Sequence, residues 1–160
     1  MPEPANQVYG KGYFLIANPV LPDPNFSRTV VLLCNHDNEG SFGLVINRSA
    51  PLDSKEVFAD MGKSGFPSGK IYVGGPVSPS QVFYLCRSEE PLPELDAICD
   101  GVYMGLSWDL LDNLMVRLKN PEKNIRFYLG YSGWGAGQLA GEMTQLSWLT
   151  SKACGEFPGL

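Results

Sequence analysis

The stretch Phe127-Tyr128-Leu129-Gly130-Tyr131-Ser132-Gly133-Trp134-Gly135-Ala136-Gly137-Gln138 restricts this chain more than any other. An aromatic strand runs into a turn with glycine at every second position, and a helical run follows. Glycine serves where the backbone needs positive φ, or where another group must approach the chain closely. A helix opening directly after such a turn presents unpaired N–H groups that can hold an anion or a carbonyl. This corner is the first candidate site. Trp134 would be its stacking face, Gly135 and Gly137 its backbone, and Gln138 and Glu142, four apart on one helix face, its polar contacts. The plainer reading is a strand-to-helix turn in which Trp134 packs on neighbouring aromatics, and there Gly135→Val unfolds the protein.

The rest of the chain alternates apolar runs with turn chemistry. Residues 12–17 read as a buried strand, and Asn18 to Asn25 as a loop, because its three prolines restrict themselves and the residues before them. Thr29 to Cys34 is a β-branched central strand, Asn35 to Gly40 a turn holding His36, and Ser41 to Asn47 the returning strand. Pro51 breaks the chain. Asp53 or Ser54 caps a short helix through Met61 whose apolar face is Val57, Phe58 and Met61. Strands follow at 71–73 and 81–86, with Gly74-Gly75-Pro76 as a tight turn between them. Asp100-Gly101 joins two short strands. Ser107 or Asp109 starts a helix through Lys119 with a stripe of Leu110, Leu111, Leu114 and Leu118, which Pro121 stops. The last strand spans Ile125 to Tyr131. The last helix runs from Gln138 to about Leu149, with Leu139, Met143, Leu146 and Leu149 inward. Strands outnumber helices without strict alternation, which favours an α+β arrangement with a mixed sheet.

With 160 residues the chain fits one domain, residues 1–160, in which 1–11 reads as a loose arm and 154–160 as a frayed tail. Its net charge of -5 and twelve scattered basic residues argue against direct nucleic-acid binding, which needs clustered Lys and Arg. No secretory apolar region opens the chain, and no run has the length of a membrane span. Cys34, Cys86, Cys99 and Cys154 are scattered without a CxxC pair, so reduced thiols in a cytoplasmic protein are expected.

Four segments together resemble the AlgH/YqgE family of bacterial proteins. They are Asn18-Pro19 through Asp23-Pro24-Asn25-Phe26-Ser27-Arg28-Thr29-Val30-Val31, Gly43 to Arg48, Gly74-Gly75-Pro76-Val77, and Gly130 to Leu139 with Glu142. The family often has Ala where Ser132 stands and Pro where Ala136 stands. The resemblance implies a mixed sheet curled into a partly open barrel with helices outside. Some members are labelled transcriptional regulators.

Other residues invite weighing. Cys34, His36 and Asp37 suggest a nucleophile or a metal site, but no further ligand spacing exists, and an inert buried Cys34 with a loop His36 is the simpler account. Arg28 and Asn47 stand at strand ends where sites gather, and Arg28 could bind an anion, although a salt bridge from Arg28 to Asp37 or Asp23 is the plainer account. Gly74 and Gly75 are expected to bring backbone close to the Gly130 turn. The reading is a non-enzymatic binding or regulatory protein, with no cofactor or metal, whose partner is a small molecule or protein segment. The alternatives are a hydrolase or thiol redox enzyme using Cys34 and His36, and an indirect transcriptional regulator acting through a protein partner.

Overall fold

The computed structural model describes residues 8–19, 26–63, 66 and 68–153. The first seven residues, most of the proline loop (20–25) and the expected tail (154–160) lie outside them. The elements in order are β1 Tyr13–Ala17, β2 Val30–Asp37, β3 Gly40–Val45, β4 Ser49–Asp53, α1 Ser54–Asp60, β5 Lys70–Val73 and β6 Val77–Arg87. Then come β7 Asp96–Cys99, β8 Val102–Gly105, α2 Trp108–Arg117, α3 Pro121–Asn124, β9 Ile125–Gly135, α4 Gln138–Thr144 and β10 Trp148–Lys152.

The architecture is α+β, as expected. One sheet runs in the order β10-β1-β2-β3-β9-β6-β8-β7, with β5 also on β9 and β4 on β5. It is mixed because β5 pairs with β9 in parallel while its other ladders are antiparallel. The sheet curls without closing. Ile98 and Val102, near one end of the strand order, share a core cluster with Leu32, Cys34 and Ala153 from the other. Lys11 Nζ meets Asp96 Oδ1 at 2.7 Å across the same gap.

Strand periodicity sorts β9 between two cores. Phe127 faces a cluster with Phe58, Phe66, Leu111 and Leu114 beneath α1 and α2. Tyr128 faces the inner cluster with Leu32, Cys34 and Leu44. A third core packs Trp134, Leu139, Met143 and Trp148 on Leu15, Val31 and Leu33. Each fully buried Leu or Phe contributes about 1.5–3 kcal/mol. Asp53 caps α1 and Ser107 caps α2, as their sequence positions imply. Phe58 in α1 is buried, whereas Met61, just past the end of the helix, is exposed.

Several expectations fail for identifiable reasons. β2 continues through His36 to Asp37, because a bulge at Cys34 keeps the ladder in step and leaves only Asn38 and Glu39 to turn. Asp37 Oδ1 accepts from Glu39 N at 2.8 Å and closes that turn. Pro51 does not break the chain: it lies in β4, an edge strand where a missing N–H is tolerated. β6 begins at Val77, with an irregular register across 78–81. Pro121 opens the single turn of α3, since proline suits a first helical position. The last helix is shorter than its apolar spacing suggests: α4 ends at Thr144, Leu146 takes φ 58°, and β10 starts at Trp148. Leu139 and Met143 are inward, but Leu146 and Leu149 are exposed.

The glycine-rich stretch is also strand rather than turn. β9 runs to Gly135, and its glycines let a second backbone pass close by. Near Gly74, β9 leaves β5 and joins β3. Gly74 N donates to Leu129 O at 2.7 Å, and its carbonyl accepts from Val45 N at 2.8 Å and from the buried Ser132 hydroxyl at 3.1 Å. A Cβ at Gly74 would lie 2.4 Å from Gly130 O, and one at Gly75 2.2 Å from the Tyr131 carbonyl carbon. The anticipated approach of these two glycine segments is real, and it makes a fork in the sheet.

Candidate functional site

At the glycine corner the polar groups meet one another. Gly135 N donates to Gln138 Oε1 at 3.0 Å, and Gln138 Nε2 to Glu142 Oε2 at 3.1 Å. The other carboxylate oxygen, Glu142 Oε1, accepts from Trp134 Nε1 at 3.0 Å and from Trp148 Nε1 at 2.8 Å. Trp134 is only 4% exposed and stacks on Phe26, with ring centroids 5.9 Å apart. Gly137 at φ 77° lets the chain enter α4, whereas Gly135 has room for a side chain, its nearest neighbour being Gln138 Oε1 at 4.0 Å. The geometric burden expected of Gly135 falls on Gly74, Gly75 and Gly130 instead.

Arg28 and Asn47 form a clasp. The Asn47 amide donates to Arg28 O at 3.0 Å and accepts from Val30 N at 2.9 Å, holding Arg28 at φ 59°. Ion pairs between described residues are Lys11–Asp96 and Arg117–Glu94, so Arg28 does not pair with Asp37, and Asp23 lies outside the described residues.

The bulge separates Cys34 from His36. Cys34 stays with Leu32 in the inner core, and its thiol meets Leu32 O at 3.5 Å. His36, one step beyond the shifted register, packs on Tyr9 on the opposite face, and its Nδ1 lies 2.6 Å from Ser41 Oγ. Burial pushes the Cys34 thiol far up from its ordinary value, so it stays protonated at neutral pH. The pair therefore does not assemble as nucleophile and base. Among the described residues, no cluster of His, Cys, Asp and Glu could hold a metal ion. No described helix is long and apolar enough to cross a membrane.

A hollow does open at the fork, on the side toward Asn47. One lobe, of about 430 Å³, has an apolar wall of Phe14, Val30 and Ile46 facing Lys70, Tyr72 and Arg126. A second lobe shares those last three residues and adds Lys123 and Glu122. The Arg126 guanidinium carbon sits 4.3 Å from the Tyr72 ring centre, which fixes its position. Lys70, Tyr72 and Arg126 were missed in the sequence. The signal was there: Lys70-Ile71-Tyr72 and Arg126-Phe127-Tyr128 share a basic–apolar–tyrosine order, and the two strands pair in parallel with Tyr72 beside Tyr128. This register brings Lys70 alongside Arg126. Neither cation makes an ion pair with a described residue.

The profile of the AlgH-like family matches residues 14–157. A UPF0301 protein of Myxococcus xanthus is 42% identical over 146 residues, covering 89% of this chain and 78% of its own. Another from Magnetococcus marinus is 43% identical over 148 residues, covering 89% of this chain and 76% of its own. The solution structure of the AlgH protein from Pseudomonas aeruginosa superposes with a TM-score of 0.71 at 37% identity, over 89% of this chain and 77% of that one.

Proposed function

The chain belongs to the AlgH-like family, and from that premise we propose that it is a non-catalytic binding protein whose ligand site is the fork hollow rimmed by Asn47, Lys70, Tyr72 and Arg126. The observation that carries the reading is the parallel placement of Lys70 beside Arg126 on a chain of net charge -5. Like charges on neighbouring strands repel, and neither cation has an acidic partner among the described residues. A bound group of opposite charge would relieve that repulsion. The site near the Gly130–Gln138 corner thus moves to the other side of the fork. The corner itself acts as a brace for β9.

The reading extends to a regulatory role in the cytoplasm, where the buried thiols of Cys34 and Cys86 are stable. A thermal-shift screen of metabolites on wild type and Arg126→Met tests it, because a ligand that binds only the folded state raises the midpoint. Hits that stabilise wild type and leave the variant unmoved support the site. Hits indifferent to Arg126 place binding elsewhere.

A further inference from the structure

Resting on that reading of the fork hollow, we infer that its occupant is a short acidic and apolar segment of another protein. A carboxylate of the segment meets Lys70 and Arg126, and its apolar side chains lie along an open row that leaves the hollow toward β10, the last strand in the sheet order. The row follows from register. Ile16 is opposite Leu149 on β10 and Val30 on β2, and Ile46 N donates to Val30 O at 2.9 Å. Residues directly across from one another point to the same face, so Leu149, Ile16, Val30 and Ile46 form one apolar line over four strands. The other face of these strands carries Leu15, Val31 and Val45, which share a core with Leu139 and Met143 of α4.

Two properties of the row select what covers it. Its outer half is open, with Ile16 36% and Leu149 48% exposed, whereas Val30 and Ile46 form the apolar wall of the hollow. Single exposed apolar residues are ordinary, but a contiguous line running out of a cationic hollow marks a contact surface. The second property is length. Three strand spacings make the row about 14 Å long before the hollow is crossed to Arg126. A metabolite that fits the hollow leaves Ile16 and Leu149 in water. An extended segment covers about 3.3 Å per residue, so roughly six residues reach from Arg126 to Leu149. Charge then orders that segment. Lys70 and Arg126 stand at one end, and no side chain in the row is charged. Glu122, the one acid among the described residues lining the adjoining lobe, is offset by Lys123. An acidic end with an apolar remainder matches this pattern, and a basic end is repelled.

The test selects random twelve-residue peptides displayed on phage against the full chain. The enriched peptides are then measured by fluorescence anisotropy on wild type, Arg126→Met and Leu149→Thr. They are expected to carry Asp or Glu beside at least two apolar residues. Arg126→Met should weaken them about tenfold, the scale of one hydrogen bond to a charged group. Leu149→Thr should weaken them about fivefold with the melting midpoint unmoved, because the side chain is half exposed and threonine suits a strand. No enrichment, enrichment without acidic residues, or binding indifferent to Leu149 overturns the partner segment. Metabolites of the thermal-shift screen that still need Arg126 then keep the hollow as a small-molecule site. If neither peptides nor metabolites need Arg126, both readings fall. Sedimentation covers the other occupant: self-association of wild type that Leu149→Thr abolishes gives the row to a second copy of this chain and overturns the acidic segment.

Discussion

Trp134 and Trp148 give their indole protons to the same atom, Glu142 Oε1, at 3.0 and 2.8 Å. One carboxylate thereby ties the end of β9, helix α4 and the start of β10 into a single unit. Both rings are buried, at 4% and 1% exposure, so neither N–H has water to fall back on. Glu142→Ala should cost about 2–4 kcal/mol, because each stranded buried donor costs about 1–3 kcal/mol. Glu142→Gln keeps one carbonyl oxygen for the indoles and should lose less than half of that. Urea titration followed by tryptophan fluorescence measures both.

The fork glycines should divide sharply from the glycine inside α4. Gly74→Ala and Gly130→Ala each push a methyl to within 2.4 or 2.5 Å of a carbonyl oxygen on the facing segment, and the expected outcome is loss of the folded protein. Gly141→Ala, in the middle of α4 with nothing nearby, should stabilise by about 0.5–1 kcal/mol. Soluble yield and melting midpoint across the series decide this.

Leu146 ends α4 in a conformation made for glycine. Its N–H donates to Met143 O at 3.0 Å and the next, Ser147 N, to Glu142 O at 3.0 Å, the paired bonds of a left-handed helix ending. The side chain is 45% exposed, so it recovers little by burial. Leu146→Gly should therefore stabilise by about 1 kcal/mol, against the usual direction of Leu→Gly changes. Chemical denaturation at constant slope is the check.

Alkali should unfold the protein through its buried thiols. Burial holds the Cys86 pKa up at about 12, against an ordinary 9.0. Below pH 9 both folded and unfolded chains keep this proton, so it adds no pH dependence. Above that the unfolded chain ionises first, and stability falls by up to about 1.4 kcal/mol per pH unit for this group until pH 12. Cys34 acts with the same sign. The urea midpoint should drop between pH 9 and 10.5, and less steeply in Cys86→Ala. At pH 7.5, iodoacetamide should label Cys99, which is half-buried, before Cys34 or Cys86, as read by peptide mass spectrometry.

Local chemistry was legible in the sequence where it acts within a few residues. The caps at Asp53 and Ser107, the Asp100-Gly101 hairpin and the β-branched β2 all follow from neighbours along the chain. The failures are long-range. Trp148 to Lys152 became a strand because Tyr13 to Ala17 offered an edge to pair with, which helical spacing at Leu146 and Leu149 could not reveal. His36 changed face because of a bulge with no residue signature. At the candidate site, Asn47 was legible from its strand-end position, but its partners Lys70 and Arg126 are 56 residues apart and meet only through the β5–β9 register. Glu142 was read as a ligand contact from its helical spacing to Gln138; in the structure its carboxylate accepts from Gln138 and from two indoles, one of them on an unforeseen strand.

β9 is claimed by β3, β5 and β6 together, and β1 by β10. A ribosome must therefore deliver nearly all of this chain before its sheet can assemble. Until Ile125 to Gly135 emerges, β3, β5 and β6 are open edges with apolar faces, ready to pair with whatever strand is nearby. Synthesis of this protein thus has a long exposed interval, in which a holding chaperone has more to protect than the finished fold would suggest.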